Sequence, residues 1–371
     1  MKQFSDIFQE HEWAASKESI YSKSSEDVQH ALSSSRRTIE DFKALISPAA
    51  EPYLEQMAQL SHQYTERRFG RTIQLFAPIY LSNECNNICT YCGFSMDNKI
   101  KRKTLSASEI LQEINAIKAE GFDHILIVTG EANHTVNIDY FLKALAIIRP
   151  HFANISIEVQ PLETIEYVQL HDAGVHSVLV YQETYNKDRY KEYHKKGKKS
   201  NFNYRLLTPD RIGLAGMHKI GLGVLLGLED WRTDSLFCAR HLEYLQKAYW
   251  QTKYSVSFPR IRPAEGVDIS NFHINDKELV QLICSYRLMF EEVELSISTR
   301  ESEEFRNHLV KLGTTTMSAG SKTNPGGYSV DADSLEQFEI SDDRTPEEVA
   351  MMIYSNGYQA VWKDWDSHMI Q

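Results

Sequence analysis

Between residues 71 and 320, short apolar runs rich in β-branched residues alternate with amphipathic stretches of helical period. The runs predict strands over 73–81, 124–129, 154–159, 177–181, 221–227, 253–258, 293–298 and 314–317. The stretches between and after them predict helices over 107–120, 138–149, 164–173, 204–220, 233–250, 276–290 and 301–312. Gly121, Gly174, Gly221 and Gly313 fall where a left-handed residue would cap a preceding helix. Regular strand–helix alternation implies parallel strands, and eight of them predict an α/β fold, a (βα)₈ TIM-type barrel. An open doubly wound sheet is the alternative, but no G-x-G-x-x-G turn follows the first strand. In a barrel the chemistry belongs at the C-terminal ends of the strands.

The flanks read differently. Residues 1–70 are helical and polar, with helices expected over 25–32, 38–45 and 51–64, broken at Pro48 and Pro52. They predict a helical extension before a barrel over 71–320. A segment over 321–371 follows, with a Gly- and Pro-rich loop at 320–328 and one helix at 346–356.

Composition narrows the function. The 371 residues carry 51 acids against 40 Lys plus Arg, a formal charge of -11, which argues against a nucleic-acid partner. The longest nearly unbroken apolar run, 222–228, falls far short of the roughly 20 residues that span a membrane. No apolar core of a secretory signal is visible near the N-terminus. Five cysteines, an odd and sparse set, do not suggest a disulfide framework. A reducing, cytoplasmic location is expected.

Three of those cysteines sit together. Cys85-x-x-x-Cys89-x-x-Cys92 follows the first predicted strand and so occupies the first βα-loop. A structural zinc site takes four ligands, normally from two paired arms, and Cys238 and Cys284 stand alone in helical stretches. Three thiolates suit a cubane [4Fe–4S] cluster with one iron left open to a small molecule. The alternatives are a zinc-stabilised binding barrel without catalysis, a redox disulfide, or three plain buried cysteines.

This spacing, with the aromatic Tyr91 before the last cysteine, resembles the radical S-adenosylmethionine (SAM) superfamily. The resemblance implies that Cys85, Cys89 and Cys92 hold a [4Fe–4S] cluster. It also implies that SAM binds the open iron and is cleaved to methionine and a 5′-deoxyadenosyl radical. Thr129-Gly130-Glu131 corresponds to the family's GGE motif for the SAM amino group, with Thr in place of the first Gly. Glu158 leaves the third strand, and Glu183 leaves the fourth, where the family places an acid on the ribose hydroxyls. Arg205 resembles the basic partner of the SAM carboxylate. The run from Gly223 through Leu226 to Glu229 resembles the adenine-packing strand.

Further stretches resemble the aromatic amino-acid lyases of that superfamily, and within them the tyrosine lyases of thiamine thiazole biosynthesis. They are 157–163, 173–175, 181–185, 257–264, 298–301 and the tail 362–366. The resemblance implies cleavage of the Cα–Cβ bond of L-tyrosine to 2-iminoacetate (dehydroglycine) and p-cresol. Its implied partners are a flavodoxin- or ferredoxin-type one-electron donor and a thiazole synthase that consumes the imine. The rivals are a tryptophan lyase and the tyrosine lyase of hydrogenase maturation. The latter carries cysteines in a C-terminal motif, and no cysteine follows Cys284 here. An amino-acid substrate needs a planar, bidentate cation for its carboxylate. Arg260 and Arg262 alternate at the end of the sixth strand near Ser257, and Arg300 ends the seventh beside Ser298. Arg300 is the first expectation for that contact.

Overall fold

The β-branched runs form strands covered on both faces, which is why they read as continuous apolar segments. In chain order they are β1 (Thr72–Ser82), β2 (His124–Thr129), β3 (Asn154–Glu158) and β4 (Ser177–Leu179), then β5 (Lys219–Gly223), β6 (Lys253–Ser257), β7 (Glu294–Ile297) and β8 (Thr316–Ser318). Each pairs in parallel with the next, and β8 pairs with β1 at Gln74↔Thr316. The sheet is therefore a closed eight-stranded parallel barrel ringed by helices, as the alternation predicts. The computed structural model describes residues 2–267, 274–331 and 335–363. The Asp364–Asp366 part of the tail resemblance lies outside them.

Helix starts are marked by the side chains that cap them. Ser106, Asn137, Asn275 and Thr345 each accept a hydrogen bond from the third backbone N–H of the helix they open. Five helices precede the barrel: Phe4–Gln9, Trp13–Tyr21, Ser25–Ser33, Ile39–Leu45 and Leu54–Phe69. Their apolar faces join the barrel's outer core. Phe4, fully buried, stacks on His241 at 3.8 Å between ring centroids. Cys284, also buried, packs with Met57 and Leu288, and Cys238 lies in the main core. Both isolated cysteines thus serve packing. Among the described residues, no helix is long and apolar enough to cross a membrane.

The structure departs from the sequence pattern in four places. The helix expected over 204–220 is two, Phe202–Leu206 and Thr208–Leu214, because Pro209 opens a new helix where its missing N–H costs nothing. Gly221 is not a cap: it lies inside β5, and a Cβ there would stand 2.5 Å from Leu179 Cγ, so the position requires close approach. The fifth strand is displaced accordingly, from 221–227 to Lys219–Gly223. Finally, a strand follows the last helix. β9 (Gln359–Val361) pairs with β1, and since Gln74 faces Thr316 on one edge and Val361 on the other, β9 extends the edge that β2 occupies further along.

The segment before β9 crosses the barrel mouth and is fastened by buried charge. Arg306 and Asp342, both wholly enclosed, are ion-paired, and Arg344 adds a second guanidinium to Asp342 at 2.6 Å. Removing the carboxylate leaves Arg306 charged and unpaired in the core. Asp342→Ala is expected to cost about 3–5 kcal/mol, read as a fall in denaturant midpoint with an unchanged slope.

Candidate active site

The loop after β1 departs from regular structure, and one side chain ties it down. Arg102 donates to the carbonyls of Asn83 and Phe94 at 2.8 Å, Ser95 at 2.6 Å and Asn98 at 3.3 Å. The loop carries Cys85, Cys89 and Cys92, all free thiols, to the wall of one cavity at the C-terminal end of the barrel. Cys89 sits in a two-residue strand, Ile88–Cys89, paired antiparallel with His194–Lys196. Each of two thiols receives a donor: the Asn87 N–H reaches Cys85 Sγ at 3.5 Å, and Gln337 Nε2 reaches Cys92 Sγ at 3.6 Å. Burial pushes the Cys85 and Cys89 thiols up, so metal must displace protons from both.

Among the described residues, no three His, Cys, Asp or Glu side chains converge on a single ion. In a cubane each thiolate would bind a different iron. The three soft donors and the two N–H···S contacts fit a [4Fe–4S] cluster with one iron free of protein.

The end of β2 lies against this loop. At Gly130 a Cβ would stand 2.2 Å from the Glu84 carbonyl oxygen, so only glycine lets the strand end and the cysteine loop touch. Gly130→Ala is expected to displace the loop and lower both the iron bound per chain and 5′-deoxyadenosine formation by more than about tenfold. Wild-type iron content in that variant would contradict the packing argument. Beside Gly130, the Thr129 hydroxyl is buried and has no protein partner, an orphan that a bound ligand can satisfy.

Around the cavity runs a network of alternating charge. Glu131 accepts from Arg205 at 2.8 Å and from Asn87 at 2.8 Å. Glu183 accepts from Lys199 at 2.7 Å and lies 3.6 Å from Arg205, whose Nε donates to the Tyr181 carbonyl at 2.6 Å. Burial opposes charge on Glu131, but Arg205 and Lys199 outweigh it and hold the carboxyl below its usual range. Burial and Arg205 pull Lys199 down, but Glu183 and the other anions around it keep it above its ordinary value, as an ammonium. Glu183 has φ +69°, the one left-handed non-glycine among the described residues, a strained conformation that aims its carboxylate at this network. Such a network can accept both ends of a zwitterion. Glu158 lines the same cavity, where burial, with Glu183 nearby, raises its pKa to about 7.

Tyr91 is held beneath the loop. His194 Nδ1 donates to the Tyr190 carbonyl at 2.8 Å, and burial keeps the ring neutral, so its Nε2 accepts the Tyr91 hydroxyl at 2.7 Å.

On the far side of the cavity stand Ser257, Arg262, Ser298 and Arg300. Burial lowers the Arg300 pKa, with Tyr80 and Glu158 partly opposing the shift. Its guanidinium carbon lies 3.4 Å from the Phe338 ring centroid, and among the described residues the guanidinium donates to the Arg260 carbonyl at 3.3 Å. Arg262 contacts the Ser341 hydroxyl. Neither Arg300 nor Arg262 has a carboxylate within salt-bridge distance among the described residues. Two expected site residues turn away. Arg260 does not line the cavity: it is committed to Glu301 and Asp276. Alternation fails to pair it with Arg262 because β6 ends at Ser257 and the chain beyond is irregular. Leu226 also faces the barrel core, and its neighbour Leu225 lines the cavity instead.

The cavity is open to solvent at the barrel mouth and is walled by the cysteine loop, the charge network and the Arg300 side. A barrel with a three-cysteine first loop and a zwitterion network at its C-terminal mouth defines a radical SAM enzyme. The Radical SAM superfamily pattern matches residues 79–237, and that of the Biotin and Thiamin Synthesis associated domain matches 257–359. The chain is 50% identical over 370 residues to the 2-iminoacetate synthase of Escherichia coli (strain K12), covering 100% of this chain and 98% of the relative. The chain belongs to the 2-iminoacetate synthase family. The Salmonella typhimurium 2-iminoacetate synthase is also 50% identical, over 368 residues, covering 99% of this chain and 98% of the relative. Among solved structures, HydG, a maturase of the [FeFe]-hydrogenase, superposes with a TM-score of 0.91 at 27% identity, covering 96% of this chain and 81% of that one.

Proposed function

We propose that the protein cleaves the Cα–Cβ bond of L-tyrosine to give 2-iminoacetate and p-cresol, consuming SAM. Family membership over the whole chain supports the reaction. One feature of the cavity supports an amino-acid substrate: Arg300, a buried cation without a carboxylate partner, facing the cavity of the cysteine loop. A [4Fe–4S] cluster, which Cys85, Cys89 and Cys92 would hold, would supply the one-electron reduction that cleaves SAM and so provides the radical chemistry for hydrogen abstraction from tyrosine. The protein binds, aims and excludes. Glu131 and Arg205 offer an anion and a cation to the amino and carboxylate groups of SAM, and Glu183 takes the ribose hydroxyls. Arg300, with Ser298, holds the tyrosine carboxylate, and Arg262 and Ser257 line the same wall. Phe76, Pro78, Leu126, Leu179 and Phe258 give the aromatic ring a dry surface. Gln337 and Phe338 line the cavity beside Cys92 and Arg300 and narrow the access of water and quenchers to it.

The imine product hydrolyses readily, which favours a partner that uses it at once, a thiazole synthase, in a reducing cytoplasm. A tryptophan lyase would share the cluster, barrel and network. Anaerobic incubation of the reconstituted protein with SAM, dithionite and either tyrosine or tryptophan separates them. Tyrosine is expected to yield p-cresol, and tryptophan to leave 5′-deoxyadenosine at its substrate-free level. Tryptophan-stimulated SAM cleavage without p-cresol from tyrosine would reverse the assignment.

A further inference from the structure

The chain is acidic overall, at -11, yet residues 187–198 carry six Lys or Arg against two acids. Arg189 is tied to Glu192 and Glu229. The lysines at 187, 191, 195, 196 and 198 are all exposed, and none makes an ion pair among the described residues. A lone charge run is normally a solvated face. Here its position is unusual. Its His194–Lys196 stretch is the strand paired with Ile88–Cys89, so exposed Lys195 and Lys196 lie one backbone ladder away from a cluster cysteine. Lys195 also shares an open, polar depression with Cys89, Tyr91, Asn98 and Tyr193, on the solvent side of the loop.

We propose that this lysine face docks an acidic one-electron carrier protein. The inference rests on the radical SAM reading of the cavity, which requires an external electron. The carrier is oxidised by one electron and the cluster reduced by one; no other bond changes. Charge supports this occupant. Two proteins that are both net acidic repel at long range, but at physiological ionic strength charges beyond about 8 Å are largely screened. A local cationic patch then decides the docking orientation, and it does so beside the loop that holds the metal. Asp97 and Glu192 line the same depression, Asp188 lies within the run and Glu265 borders it through Asn98, fewer acids than the five exposed lysines.

The test compares two reductants on the reconstituted holoenzyme. Reduced flavodoxin, an acidic flavin carrier, is titrated against wild type, the Lys195→Glu/Lys196→Glu/Lys198→Glu variant and a control, Lys247→Glu, at an exposed position near the C-terminal end of the helix Trp231–Ala248. The triple variant is expected to raise the apparent KM for flavodoxin about tenfold or more, with a weaker salt dependence than wild type. Its dithionite-driven 5′-deoxyadenosine formation stays at the wild-type level, and the control tracks wild type with both reductants. If the triple variant also loses the dithionite reaction, the Lys187→Glu/Lys191→Glu pair, off the paired strand, carries the same expectation. An unchanged flavodoxin KM in the variant that keeps dithionite activity overturns the docking proposal. Failure of wild type with dithionite would instead overturn the radical SAM reading itself.

Discussion

Replacing Cys85, Cys89 or Cys92 singly by Ala is expected to abolish 5′-deoxyadenosine formation and to remove most of the bound iron and sulfide. On this reading the loop would supply three thiolates for three irons, and among the described residues the other two cysteines are committed elsewhere. Cys238 is buried in the core, and Cys284 packs beneath the N-terminal helices with its Sγ 3.9 Å from the Leu312 carbonyl. The two N–H···S donors are fixed to Cys85 and Cys92 by the loop and by the tail, so a displaced cluster would lose them as well. Cys284→Ala is the matched control, expected to keep both the iron and the activity. Sustained SAM cleavage by any of the three loop variants would remove that cysteine from the ligand set.

Arg300→Ala is expected to raise the KM for tyrosine at least about 30-fold, from the 2 kcal/mol or more lost with a buried charge partner. SAM affinity should change by less than about threefold, because the Glu131–Arg205 pair proposed to receive SAM makes no hydrogen bond or ion pair with Arg300 among the described residues. Arg300→Lys keeps the charge but neither the bidentate fork nor the flat stack on Phe338, so it should recover only part of the loss. Unchanged tyrosine affinity in Arg300→Ala would move the carboxylate to Arg262, the other cavity arginine without an acid.

Most of the barrel could be read from the sequence because burial on both faces leaves unbroken β-branched runs. The cysteine triplet, Gly130 and Glu131 were equally legible, since their spacing is local. What escaped reading depends on contacts distant along the chain. Lys199 sits in a run of lysines that looks like solvated surface, and only the fold turns it inward onto Glu183. Gln337 reaches Cys92 from 245 residues away. Phe338 has no pattern that marks it as a lid on Arg300. Arg260 was expected in the site because strand alternation was extended past the real end of β6. Its neighbour Glu301, in the same run as Arg300, takes the charge instead. The orphaned hydroxyl of Thr129 is a different case, since a Thr for Gly exchange in the motif gave no hint that the side chain would face the cavity unsatisfied.

The central claim is that one carbon–carbon bond of tyrosine is broken in this cavity. The most direct measurement supplies tyrosine labelled with carbon-13 at Cα to the reduced holoenzyme with SAM, and follows the label and the products together. The account predicts p-cresol without label, glyoxylate from hydrolysed 2-iminoacetate carrying all of it, and both in equal amount to 5′-deoxyadenosine. Label retained in an aromatic product, or deoxyadenosine formed with tyrosine intact, would contradict it.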